Sequence, residues 1–154
     1  MKRLPSAEMT VGPFFPREFG QGASDLTQID GKRAGGRPIE IVGRVVQLDG
    51  NPLDNLVVEL WQADHRGIYR DPADPRLAEA DPGFLGWGRA ATDKDGNYSF
   101  RTILPGGREG RAPHVNLLLL FSGLMHQLQT VMFFADAPDD PVFASVPAGR
   151  RALL

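Results

Sequence analysis

The chain reads as an all-β protein, a sandwich of about six short strands with loops at both ends. Three observations carry this. The apolar runs are short and rich in β-branched residues. The 18 glycines and 13 prolines fall between those runs as punctuation, as tight turns require. No stretch holds the 3.6-residue period of a long helix or a heptad, and no internal repeat is visible. A length of 154 residues with 42% hydrophobic content suits one domain with an ordinary core.

Residues 1–37 are rich in Gly, Pro and charge without sustained period, and read as an arm ahead of a domain over 38–154. Within the arm, residues 9–16 (MTVGPFFP) are apolar, and an apolar arm without periodicity needs another surface to cover it. Residues 39–48 (IEIVGRVVQL) make a β-branched strand that ends in the turn signature Asp49, Gly50, Asn51, Pro52. Residues 56–62 (LVVELWQ) read as its return strand. The stretch 63–86 is dense in Asp, Pro and Gly and carries Tyr69; loops of this length inside a compact domain are usually functional. Asp95 and Gly96 form a tight turn that feeds a strand with Tyr98, Phe100 and Thr102 in alternation. A Gly-rich loop occupies 105–111. Residues 114–121 (HVNLLLLF) and 127–134 (QLQTVMFF) follow as two strands joined through 122–126. Their near-continuous hydrophobicity implies burial on both faces, in a core or a subunit contact.

The 17 basic and 19 acidic residues alternate along the chain, so no basic face offers itself to nucleic acid or a membrane. The absence of cysteine removes disulfides, thiolate zinc sites and a cysteine nucleophile, and points to the reducing cytoplasm. No apolar run of signal-peptide type opens the chain, and the apolar stretch 117–121 is far too short to span a bilayer. Serine-nucleophile, phosphate-loop and spaced His/Glu zinc motifs are missing as well.

His114 and Asn116 stand two apart on a strand, so both side chains leave one face, the geometry of a two-ligand metal clip. Imidazole suits iron, copper or zinc, whereas the Asn carboxamide is a poor transition-metal ligand; a buried His–Asn pair that hydrogen-bonds in the core fits the same spacing. Tyr69 could offer a phenolate to a ferric ion, or simply pack. His65 and His126 are isolated in polar loops and are not taken as ligands.

Taken together, TVGPFF (10–15), GRVVQLDGNPLDNLVVELWQAD (43–64), GIYRD (67–71), GRAATDKDGNYSFRTILPG (88–106) and APHVNLLLLFSG (112–123) resemble the intradiol ring-cleaving dioxygenases. The resemblance runs in order over nearly all of 9–154 and is nearest to the α-type chains of the two-chain, protocatechuate-cleaving branch. It implies a β-sandwich of the intradiol dioxygenase type. Catalytic chains of that family hold a ferric ion with two Tyr and two His. Tyr69 falls on the first Tyr and His114 on the first His, whereas Arg108 stands at the second Tyr and Asn116 at the second His. The resemblance therefore implies no catalytic residue and no metal in this chain. Fe(III) would belong to a homologous iron-binding β-type subunit, which inserts both atoms of dioxygen between the hydroxyl-bearing carbons of an aromatic diol and needs no external reductant. It also implies that Thr10, Gly12, Pro13 and Phe14 border the partner's substrate pocket, where Gly and Pro fix a backbone arm and Phe14 can pack on a ring. The family often has Tyr at position 14. Ser122 falls where the α-type chains place a pocket Arg, so a group that could orient a substrate carboxylate is replaced by a hydroxyl. The family continues with further strands beyond the position of Leu154, which suggests a C-terminally short chain.

Three readings follow. One is the α-type subunit just described. The second is a metal-free, transthyretin-like sandwich that binds or supports other proteins, for which DGNPLDNLVVELW and TDKDGNYSF suffice but TVGPFF and APHVN are superfluous. The third is a self-sufficient dioxygenase, against which Arg108 and Asn116 speak directly.

Overall fold

The computed structural model describes Glu18 and residues 22–124 and 126–154 of the chain. Thr10, Gly12, Pro13 and Phe14 lie outside these residues. Among the described residues the elements run β1 (Gln28–Ile29), β2 (Lys32–Arg33), β3 (Pro38–Arg44), β4 (Val57–Gln62), β5 (Trp87–Ala91), β6 (Asn97–Ile103), β7 (His114–Leu120), β8 (Leu128–Phe133) and a short helix α1 (Pro141–Ser145). The expected all-β sandwich is present. Strands β3 and β6 form one antiparallel sheet of the sandwich and β5-β4-β7-β8 form the other, while β1 and β2 make a separate two-stranded antiparallel ribbon.

Alternation along each strand decides what faces the interior. Ile41 of β3 and Phe100 and Ile103 of β6 meet Val58 and Leu60 of β4, Ala90 of β5, and Val115 and Leu117 of β7 in one buried cluster. Gln62 is buried in this core too. Its amide donates to Ile103 O at 2.9 Å and accepts from the Thr102 hydroxyl at 2.7 Å, so a polar pair clips the two sheets together without an orphaned group.

The return-strand expectation for 56–62 is corrected. Strand β4 exists but does not pair with β3; it lies in the other sheet, between β5 and β7. The hairpin begins as expected, with Val46 bridged to Pro52 and Gln47 N–H donating to Asn51 O. Asn55 then takes a left-handed conformation (φ 58°), and Leu56 N–H bonds the Thr92 hydroxyl at 2.9 Å, which turns the chain across the sandwich.

Strand β5 was not signalled by its sequence, WGRAA, because Gly and Ala are poor strand formers. It forms because Gly88 has no side chain: a Cβ there would stand 2.5 Å from Leu26 Cδ1 and 2.7 Å from Ala23 O. Leu26 is buried in the core, and Arg101 N–H bonds Ser24 O, so the segment from 22 onward lies against the sheets.

Strands β7 and β8 pair as expected through a turn in which Leu124 N–H bonds Phe121 O and Gly123 supplies φ 88°. Burial on both faces holds for the far end of β8, at Phe133, and not for Leu128, Gln129 and Thr130, which are exposed in the single chain. No helix among the described residues is long and apolar enough to cross a membrane.

Candidate functional site

The long loop after β4 is organised by one carboxylate. Asp64, 2% exposed, accepts N–H bonds from Arg66 (2.8 Å) and Ile68 (3.1 Å) on one oxygen and from Asp81 (3.0 Å) on the other. Its carbonyl accepts from Gly106 N–H at 2.9 Å, which draws in the Gly-rich loop ahead of β7. The approach is so close that a Cβ on Gly67 (φ 77°) would lie 2.0 Å from Gly107 O. These contacts explain the spacing of the WQAD, GIY and LPGG segments: they set Tyr69 beside Arg108 and the start of β7.

Tyr69 is held by its backbone, whose N–H bonds the buried Asp74 carboxylate at 3.1 Å. The same carboxylate accepts from Arg76 N–H at 2.9 Å and pairs with the guanidinium of Arg108 at 3.2 Å and of Arg76 at 3.7 Å. These two backbone bonds and then Arg108 and Arg76 hold the Asp74 carboxyl below the usual range, against the effect of burial. Anchored so, the Arg108 guanidinium stacks over the Tyr69 ring, 5.3 Å from its centroid.

Strand β7 supplies the rest. Val115 and Leu117 point into the core, so His114 and Asn116 leave the opposite face, beside Trp61 of β4, which is the cross-strand partner of Asn116. His114 Nδ1 lies 2.7 Å from Ala112 O, a contact that only an Nδ1–H can make favourably, and the lone pair is thereby left on Nε2. Tyr69 Oη is 3.4 Å from that Nε2, Arg111 Nη2 is 3.3 Å from it, and Asn116 Nδ2 is 3.5 Å from Tyr69 Oη. Burial raises the Tyr69 pKa, with Asn116, Arg111 and Arg108 opposing, and burial lowers that of His114, with the Ala112 carbonyl opposing. Both groups therefore stay neutral at pH 7.

Arg111 is fixed in turn by Asp140, which accepts its Nε–H at 2.9 Å and Ala112 N–H at 2.8 Å. The other Asp140 oxygen caps α1 by accepting from Val142 and Phe143 N–H. Burial opposes ionisation of Asp140, but Arg111 and the three N–H donors outweigh it and hold the carboxyl below the usual range.

The fold thus brings Tyr69, Arg108, His114 and Asn116 together. Arg111, Asp74 and Asp140 belong to the same cluster and carried no sequence signal, apart from Arg111 standing three residues before His114. His65 lies elsewhere, 3.7 Å from the Asp81 carboxylate. Ser122 is not in the cluster: it sits in the β7–β8 turn, eight residues from His114 along an extended strand, or about 26 Å at 3.3 Å per residue.

Residues 10–148 match the Dioxygenase family model Dioxygenase_C. The chain is 34% identical to the protocatechuate 3,4-dioxygenase alpha chain of Burkholderia cepacia, with 100% of this chain and 83% of that one covered. It is 35% identical to the beta chain from the same organism, over 86% of this chain, and spans only 65% of that relative's length. Among solved structures, the dioxygenase domain of a dioxygenase carbohydrate-binding protein fusion from Streptomyces sp. SirexAA-E superposes with a TM-score of 0.58 at 27% identity, covering 92% of this chain and 80% of that one. An intradiol ring-cleavage dioxygenase from Tetranychus urticae does so with a TM-score of 0.58 at 25% identity, covering 94% and 72%.

Proposed function

Because the chain belongs to the intradiol dioxygenase family, we propose that it is a non-catalytic α-type subunit of an enzyme of the protocatechuate 3,4-dioxygenase kind. It walls the substrate pocket of a homologous β-type chain that carries the Fe(III). The observation that carries this reading is the guanidinium of Arg108, stacked on the Tyr69 ring and locked to Asp74. A ferric ion held by Tyr69 and His114 would face that cation at close range in a partly dehydrated site, and the adjoining Asn116 offers a carboxamide in place of an imidazole. This donor set does not fit Fe(III), and no chemical step is assigned to this chain.

What remains for the chain is shape. Thr10, Gly12, Pro13 and Phe14 form the wall presented to the aromatic diol, and Ser122 lines the pocket from the β7–β8 turn. The outer face of the four-stranded sheet supports a partner as well: Trp61, Leu118, Leu120 and Val131 share it with His114 and Asn116, none of these four is fully buried, and Trp61 is 42% exposed. The assembled enzyme would work in the cytoplasm.

Expression tests the reading. Alone, the chain should be low in iron and lack visible tyrosinate-to-iron absorption; with an iron-bearing β-type chain, ring cleavage and the colour should appear together. Stoichiometric iron in the purified lone chain would overturn the proposal. Within the assembled enzyme, Pro13→Gly should lower activity while iron content stays unchanged, since the arm shapes the pocket and touches no ligand.

A further inference from the structure

The two sheets present different surfaces to the outside. On the outer face of the β3–β6 sheet, Glu40, Arg44 and Arg101 surround Val42 with charge. On the outer face of the four-stranded sheet, Trp61, Leu118, Leu120 and Val131 make an apolar patch, and the strand residues beside them include two charged groups, Glu59 and Arg89. These neutralise each other. Arg89 Nε–H donates to Glu59 at 3.1 Å, and Trp61 Nε1–H donates to the other oxygen of the same carboxylate at 3.3 Å. The Arg89 and Glu59 side chains are only 17% and 12% exposed, so most of their desolvation has already occurred on folding. Covering this face with a flat apolar surface therefore strands no charge and orphans none of these donors.

The same neutrality narrows what can cover it. The face has no charge pattern that selects a partner of opposite sign, and none that repels an identical face. The chain is as similar to a beta relative as to an alpha relative. A surface that receives a homologous chain about an approximate twofold axis is then close to self-complementary. Size sets the strength. Four strands at about 4.8 Å spacing and about 20 Å length cover roughly 400 Å² of each copy, about half the share per partner in a standard interface.

We propose that the outer face of β5-β4-β7-β8 receives a second copy of this chain, packed sheet on sheet with Trp61 near the twofold axis, in a weak dimer that excludes the β-type partner. One surface then serves two assemblies. The free chain keeps its apolar face covered and gives it up only to a tighter-binding partner, and the mixed pair is the tighter because the arm contacts of Thr10 to Phe14 add to it.

The exclusion rests on the subunit reading and the self-association does not, so the two are measured apart. Sedimentation velocity of the full chain alone, from about 2 to 200 µM, should show monomer passing to dimer with a dissociation constant on the order of 10–100 µM. Trp61→Gln should weaken the dimer at least tenfold. Val42→Gln, on the outer face of the other sheet and at a residue 71% exposed, should leave it unchanged. Circular dichroism establishes that each variant is folded, and Val131→Gln takes the place of Trp61→Gln if that one is not. The chain has no cysteine, so Gln129→Cys on the same face gives a single handle for a bismaleimide crosslinker. Crosslinked dimer should form with the chain alone and disappear when an iron-bearing β-type chain is bound. A monomer at every concentration, an equal loss in Val42→Gln, or crosslinking undiminished by bound β-type chain would each overturn the inference. If no β-type chain binds, the subunit reading and the exclusion fall together, and the dimer is judged by Trp61→Gln alone.

Discussion

At the scale of single residues, the state of His114 follows from where it sits. Burial is the largest influence and disfavours the charged ring; the Ala112 carbonyl opposes it, and Arg111 adds to it. Its pKa should fall below the ordinary value of about 6.5, as a proton NMR titration would show. The linked stability is complete above that ordinary value and declines as pH falls through it, because the unfolded chain then binds the proton more readily than the folded one. A second expectation concerns the substituted positions. Arg108→Tyr together with Asn116→His should confer Fe(III) binding and visible charge-transfer absorption, and neither change alone should suffice, since each leaves either the cation or a missing imidazole in place. Spacing alone singled out only the His114–Asn116 pair on one strand face; Tyr69, Arg108, His114 and Asn116 were legible as a set only through the resemblance to the family, and the fold brings them together. Arg111, Asp74 and Asp140 were not. Their roles arise from contacts such as Arg111 to Asp140, 29 residues apart, which only the folded loops create.

At the scale of elements, the loop that carries Tyr69 depends on backbone proximity. Gly67→Ala would drive a Cβ into Gly107 O and strain a left-handed residue, so a loss of about 1–3 kcal/mol is expected in urea denaturation, with weakened protection of the Tyr69 amide from hydrogen exchange. Asp140 joins two elements, capping α1 and anchoring Arg111 ahead of β7. Asp140→Ala should cost about 2–4 kcal/mol, from a lost cap and a lost charge-assisted bond, read from the same denaturation curve. Strands with β-branched and aromatic alternation, β3, β4, β6, β7 and β8, could be read from sequence within a few residues. Strand β5 could not, because its place is set by Leu26 pressing on Gly88 and not by its own residues. The pairing of β3 with β6 was hidden for a related reason: the turn after β3 looks like a hairpin, and the switch of sheets lies in one left-handed asparagine and one threonine hydroxyl 36 residues away.

At the scale of the molecule, the outer face of the four-stranded sheet separates the stability of the chain from its assembly. Trp61 is 42% exposed and touches Trp87 edge-on at 6.0 Å, so Trp61→Gln should shift the chain's own unfolding by less than about 1 kcal/mol and yet weaken assembly with a β-type partner roughly tenfold or more, as calorimetry of the chain and titration of the pair would show. The sheet topology also governs how the chain comes together in time. Arg44 pairs with Asn97 and Pro38 with Ile103, so β3 can only wait while more than fifty residues are gathered in, whereas β7 and β8 meet across a short turn. Early protection in pulse-labelled refolding should therefore appear at Leu117 and Thr130, and last at Ile39 and Val42, with folding slow for a domain of this size because so many of its contacts are non-local. Such a chain spends its youth with β3 unpaired beside an exposed apolar sheet, and a homologous partner that arrives in that interval would act as a companion in folding as well as a neighbour in the finished enzyme.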